Sequence, residues 1–155
     1  MGIAQRIGQA VENVIQTYQE TEPKALTEKM GIVLKREPLP EGVQGLTATL
    51  LGYPYIVVQA ALPKQKERYV LAHELGHHVL HPCANYYFLR QTYAWTDKLE
   101  FESDLFATFL LARHSFASWT FQSLHQEAGL PKYLALRVLE CPEACTVYEK
   151  LRQAV

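Results

Sequence analysis

The sequence predicts an α+β fold in which helices predominate and a small mixed or antiparallel sheet packs beside a helix rich in histidine. Three patterns carry that expectation: helical apolar periodicity near the start, β-branched and aromatic runs between Gly31 and Gln59, and helical periodicity again from Gln65 onward. With 155 residues, 48% of them hydrophobic, the chain can bury roughly two thirds of its unfolded surface around one core. A single domain over 1–155 is therefore expected.

Residues 3–18 place Ile3, Ile7, Val11, Val14, Ile15 and Tyr18 on one stripe of a helix, with polar residues opposite. Pro23 suits the first position of a second, short helix, and Gly31 is placed to end it. Residues 32–34 and 55–59 have the composition of strands. Between them Pro38, Pro40, Gly42, Gly45 and Gly52 mark loops or a hairpin. From Gln65 a helix runs through Val70, Leu71, Leu75, Val79 and Leu80, and Pro82 stops it near His81. After a polar and aromatic connection over 85–95, a strong helix over 98–113 carries Leu99, Phe106, Phe109 and Leu110 inward. Two shorter helices, over 118–128 and 132–140, flank Gly129, Leu130 and Pro131 as a carboxy-terminal subelement.

Charge narrows the partners. Fifteen Lys and Arg against 16 Asp and Glu leave a formal charge of -1, without the basic excess that phosphate contacts require, so no nucleic-acid partner is expected. A DNA-reading helix pair around Gly129 would have only Lys132 and Arg137 as basic residues, against Glu127 and Glu140. The uncharged run over 42–63 is interrupted by Gln44, Gly45, Gly52, Pro54 and Gln59, which excludes a membrane helix there. Arg6, Glu12 and Glu20 break any secretory signal, so a mature start near Met1 is expected. Cys83, Cys141 and Cys145 form no disulfide framework and point to a reducing, cytoplasmic setting. A metal site at Cys141 and Cys145 is disfavoured by the intervening Pro142 and the lack of nearby histidine.

The chemistry is concentrated between His73 and His81, where four of the six histidines fall and residues 73–77 spell HExxH. A helix turns about 100° per residue, so His73 and His77 share a face one turn apart and both imidazoles can reach one Zn²⁺. Glu74 is rotated from them and can act as general base on a water at the metal. Leu80 and Cys83 stand where a metzincin extension needs Gly and a third His, so that subclass is excluded. The third ligand is sought instead 23 residues beyond His77, where Glu100 opens an ExxxD run ending at Asp104. Glu100 and Asp104 would share a helix face, with Asp104 fixing the tautomer of a ligand histidine. Glu102 is the alternative ligand, and the spacing of Asp97 and Glu100 also suits a helix cap. His78 points elsewhere, and His81 lies roughly 12 Å along the axis from His73, too far to share the ion.

The stretch KERYVLAHELGHHVLH over 66–81, with LEFESDLFATFLLA over 99–112, resembles the ImmA/IrrE-like zinc metallopeptidases. The first strand, the YPYIVVQAALP segment and a carboxy-terminal LxxRxL-like piece also have counterparts there, so the resemblance covers most of the chain. Ala112 and Arg113 depart from the Met-Pro that often follows the paired leucines. The resemblance implies a small zincin-like domain of the gluzincin type, with His73, His77 and Glu100 as metal ligands, Glu74 as catalytic glutamate and Asp104 at a position usually Asp or Asn. It also implies a protein substrate, such as a helix-turn-helix transcriptional repressor.

The expected function is a cytoplasmic zinc endopeptidase of narrow specificity, regulatory rather than digestive. The alternative is a non-catalytic zinc-containing module that controls partners by association. Tyr86, Tyr87, Tyr93 and His114 are candidate donors to the oxyanion, and the sequence does not choose among them. Gly76 and Ser103 are small enough to let the two ligand-bearing helices approach closely. The strand over 55–59 precedes the active helix and is expected to form the edge on which an extended substrate adds.

Overall fold

A computed structural model describes residues 1–82, 93–113 and 118–153 of the chain. Helix α1 (Ile3–Tyr18) buries Ala4, Ile7, Gly8, Val11 and Val14 along the predicted stripe. Its end is set by Gln19, in a left-handed conformation, whose N–H bonds back to Ile15 at 2.8 Å. Helix α2 (Pro23–Lys29) starts on Pro23 as expected, and the chain leaves it through Gly31 at φ +71°.

The sheet is mixed. Strand β3 (Tyr53–Gln59) is its centre, flanked by β1 (Val33–Glu37) in parallel and β2 (Gly45–Leu50) antiparallel. This corrects the expectation that residues 55–59 lie at an edge: both sides of β3 are paired, and β2 is an edge instead. Strands β2 and β3 form a hairpin turned by Leu51 at φ 51° and Gly52 at φ 80°, the two-residue geometry that suits strand twist. Leu in the first of these positions hid the turn, which usually advertises itself with Asn or Asp.

Helix α3 (Lys64–Leu80) and helix α4 (Tyr93–Ala112) pack against each other at the centre of the molecule. Leu71, Leu75, Leu105, Phe106 and Phe109 are buried between them and their neighbours, and Ile56 and Val58 bring the sheet into the same core. Neither central helix is clearly amphipathic, since α1, the sheet and the carboxy-terminal helices cover different sides of the pair. No helix among the described residues is long and apolar enough to cross a membrane.

Beyond α4, the expected helix over 118–128 is replaced by a shorter element that ends in a π-helical turn, Ser123–Glu127. Thr120 and Ser123 exchange reciprocal side-chain to backbone bonds of 2.9 and 3.0 Å, a capping box that prevents the helix from starting earlier. Helix α5 (Lys132–Leu139) follows, and a final helix α6 (Pro142–Gln153) packs on α1. Arg137 of α5 lies 4.0 Å over the ring of Phe101, tying α5 to the helix that carries Glu100.

The α3 and α4 axes approach through Gly76, where an added Cβ would stand 3.0 Å from the backbone of Ser103 and 3.1 Å from Phe106. At an exposed helix site, Gly→Ala gains about 0.5–1 kcal/mol. Here overpacking of about 1–3 kcal/mol opposes that gain. Gly76→Ala is therefore expected to lower the denaturation midpoint, and a raised midpoint in chemical unfolding would contradict this packing.

Candidate metal centre

Side chains four residues apart on α3 rise along one helix face, which stacks Tyr69, His73 and His77. The rings of His73 and His77 meet edge to face with centroids 4.8 Å apart. Helix α4 brings Glu100 against them: Oε2 lies 3.1 Å from His73 Nε2 and Oε1 lies 3.0 Å from His77 Nε2. The two Nε2 atoms are themselves 3.1 Å apart. One donor atom from each of these three residues lies within 4.8 Å of the others, so the group could hold a metal ion. A tetrahedral site with bonds of about 2.0–2.1 Å has donor-to-donor edges of about 3.3 Å, close to the spacing found here.

Asp104, one turn beyond Glu100, accepts from His73 Nδ1 at 2.9 Å and from the Tyr69 hydroxyl at 2.6 Å. An ionised carboxylate only accepts, so Nδ1 carries the hydrogen and Nε2 is directed at Glu100. Burial disfavours charge on His73, but hydrogen bonds to Asp104 and Glu100 and the field of Glu74 outweigh it, pushing the imidazole up to about 10. Burial likewise opposes charge on Glu100, yet the bonds and charge of His73 and His77 hold its carboxyl far below the usual range.

Glu74 is turned toward the sheet. Its Oε2 accepts from the Thr47 hydroxyl of β2 at 2.6 Å, and burial raises its carboxyl above the ordinary value. A Cβ at Gly45 would lie 3.0 Å from Glu74 Oε1 and 2.7 Å from Val70, so glycine is what lets β2 come this close. These groups face a pocket of about 240 Å³, lined by Gly42, Gly45, Tyr69, His73, Glu74, Glu100 and Tyr133 among others.

The structure thus gathers His73, Glu74, His77, Glu100 and Asp104 in one place. Glu102 is not among them: two residues from Glu100, it faces round the helix and pairs with Arg6 and His81, each at 2.8 Å. Asp97 lies inside α4, which begins at Tyr93, so the cap reading of Asp97 and Glu100 does not hold. Tyr86, Tyr87, His114 and Cys83 lie outside the described residues, and Tyr93 is described only as the first residue of its helix. Sequence reasoning missed Thr47, Gly45, Tyr69 and Tyr133. Tyr69 stands four residues before His73 and was within reach of the helical period; Thr47 and Tyr133 arrive from distant elements and carried no local signal.

Two comparisons bear on this arrangement. The sequence profile of the IrrE N-terminal-like domain family, a peptidase family, matches residues 27–136. The chain is also 29% identical over 133 residues to immunity region protein 2 of Bacillus phage phi105, an alignment covering 81% of this chain and 84% of that protein. The profile match contains the sheet, α3 and α4, and leaves α1 and α6 outside.

A proton and a metal ion compete for the same lone pair on His73, whose imidazole is pushed up to about 10, so metal affinity should rise with pH up to that value, with proton release on binding. Calorimetry in buffers of different ionisation enthalpy measures that release, and affinity independent of pH would contradict it. Asp104→Ala should weaken divalent-ion binding by about 10–100-fold, read by chelator competition. Unchanged affinity in the folded variant would remove Asp104 from the site.

Proposed function

This chain belongs to the IrrE N-terminal-like domain family, a family of peptidases, and from that premise we propose that it is a zinc-dependent endopeptidase of narrow specificity that cleaves a regulatory protein. The observation that carries the reading is the meeting of His73, His77 and Glu100 beside a pocket that His73, Glu74 and Glu100 line. Two nitrogen donors and one carboxylate suit Zn²⁺, and these three residues would hold it. When bound, such an ion makes a water acidic enough to deprotonate near neutral pH and polarises the peptide carbonyl.

The protein's own part is proton handling and orientation. Glu74 is anchored through Oε2 by Thr47, which leaves Oε1, beside Gly45, to take the proton from the attacking water. As the C–N bond breaks, Glu74 returns that proton to the departing nitrogen, and the proton left on the new carboxyl group passes to the amine, giving a carboxylate and an ammonium group. A raised carboxyl pKa favours this exchange, since burial makes the protonated form of Glu74 accessible. Asp104 and Tyr69 keep His73 in the orientation the ion requires. A module that acted by association alone would have no use for a buried carboxylate held at this point.

The substrate chain is assigned to the edge of β2. Gln59 donates to Gln44 at 2.8 Å, and the register pairs Leu46 with Val57 and Ala48 with Tyr55. Alternation then turns the main-chain groups of Gly45, Thr47 and Thr49 away from β3. Pro54 agrees with this phase, since it faces Thr49, where no bond to the ladder is needed. A peptide added along this edge would begin beside Glu74 at Gly45 and run toward the hairpin tip. The likeness to a phage immunity region protein supports a regulatory target, and we assign a helix-turn-helix repressor encoded near the gene as that target.

Incubation of the purified protein with such repressors should give one or a few defined cuts that a chelator abolishes. Glu74→Gln should keep its zinc and lose hydrolysis by about 10²–10⁴-fold. Cleavage by that variant at the wild-type rate, or cleavage in the presence of chelator, would overturn the assignment. Thr49→Pro, which removes an outward N–H without a ladder bond, should raise KM with little change in kcat; an unchanged KM would remove β2 from substrate binding.

A further inference from the structure

Tyr133 occupies the second position of α5 and lines the pocket together with His73, Glu74 and Glu100. It is 58% exposed, so its ring is not needed to fill the core; Leu134, Ala135 and Val138 do that from the other face of the helix. Its hydroxyl stands 3.3 Å from that of Tyr69 and beside the carboxylate of Asp104, which Tyr69 also bonds. Tyr69 has one hydroxyl hydrogen, and the 2.6 Å bond to the carboxylate of Asp104 uses it. The Tyr133 hydrogen therefore goes to the Tyr69 oxygen or to the Asp104 carboxylate, and in either case Tyr133 is the donor. Hydroxyl bonds normally span about 2.7–2.8 Å, so the contact with Tyr69 is long and weak, and the hydroxyl of this exposed residue is free to turn to an acceptor in the pocket that it lines.

From this geometry we infer that Tyr133 donates its hydroxyl hydrogen to the scissile carbonyl oxygen of the substrate, an inference that rests on the peptidase reading above. The bond strengthens as charge grows on that oxygen during attack, and the proton stays on Tyr133 throughout, so the proton balance between water, Glu74 and the departing amine is unaltered. Tyr69 and Asp104 hold the hydroxyl in place between turnovers, and the Arg137 contact with Phe101 keeps α5 in position relative to Glu100. Burial and the nearby Asp104 carboxylate raise the Tyr133 hydroxyl above its ordinary value, which keeps it a donor.

The test is Tyr133→Phe in the zinc-loaded, full-length protein, acting on a repressor that the wild type cleaves. Removal of one oxyanion donor should lower kcat by about 10²-fold. Zinc affinity, the denaturation midpoint and KM should stay within about twofold, because the ring and its packing remain. Binding of a phosphonamidate analogue of the cleaved sequence, whose tetrahedral oxygens imitate the transition state, should weaken by at least tenfold on the scale set by one charge-directed hydrogen bond. An unchanged kcat with unchanged analogue binding would overturn the role of Tyr133 and leave the peptidase reading standing. Loss of zinc or of fold in step with activity would make the residue structural and also overturn it. Failure of the wild type to cleave any protein would instead defeat the peptidase reading, and this inference with it.

Discussion

Two imidazole nitrogens 3.1 Å apart, each facing an oxygen of the same carboxylate, repel one another unless something positive sits among them. Much of the central architecture serves to hold that arrangement. The nitrogens come from successive turns of α3, the carboxylate comes from α4, and only close packing of the two helices makes them converge. Gly76 over the backbone of Ser103 sets the separation, with Leu75, Phe106 and Phe109 burying the rest of the contact.

Around that centre each polar group is fixed by a partner from another element. Asp104 takes hydrogens from His73 and Tyr69, while Thr47 of β2 anchors Glu74. Glu102 is engaged by Arg6 and His81 on a different side of α4. Adjacent acidic residues thus have separate tasks, because successive positions on a helix face different neighbours. The sheet contributes less to the core than the helices do, and its place beside α3 gives β2 both the Glu74 anchor and an edge directed along the pocket.

Local patterns made α1, α2, α3 and the HExxH face legible in the sequence, since each depends on spacing within one element. Glu100 and Asp104 were within reach because helical spacing links them and the resemblance to a metallopeptidase family aligned them. Thr47, Gly45 and Tyr133 were not, because their importance comes from contacts with residues 25 or more positions away, or with a pocket that no local pattern describes. The same cause misplaced the sheet edge: β3 reads as a strand, but which strand takes the centre depends on pairing partners, and β2 was concealed by Thr, Ala and Gly of weak pattern followed by a turn at Leu51. The cap reading of Asp97 failed because α4 begins at Tyr93, several residues ahead of its apolar face.

X-ray absorption spectroscopy of the zinc-loaded protein, with His77→Ala beside it, reads the ligands of the ion one by one. The expected first coordination sphere is two imidazole nitrogens, one carboxylate and one solvent oxygen, with one nitrogen missing from the variant. A sphere that contains sulfur, a fourth protein ligand in place of solvent, or a spectrum unchanged by His77→Ala would contradict it.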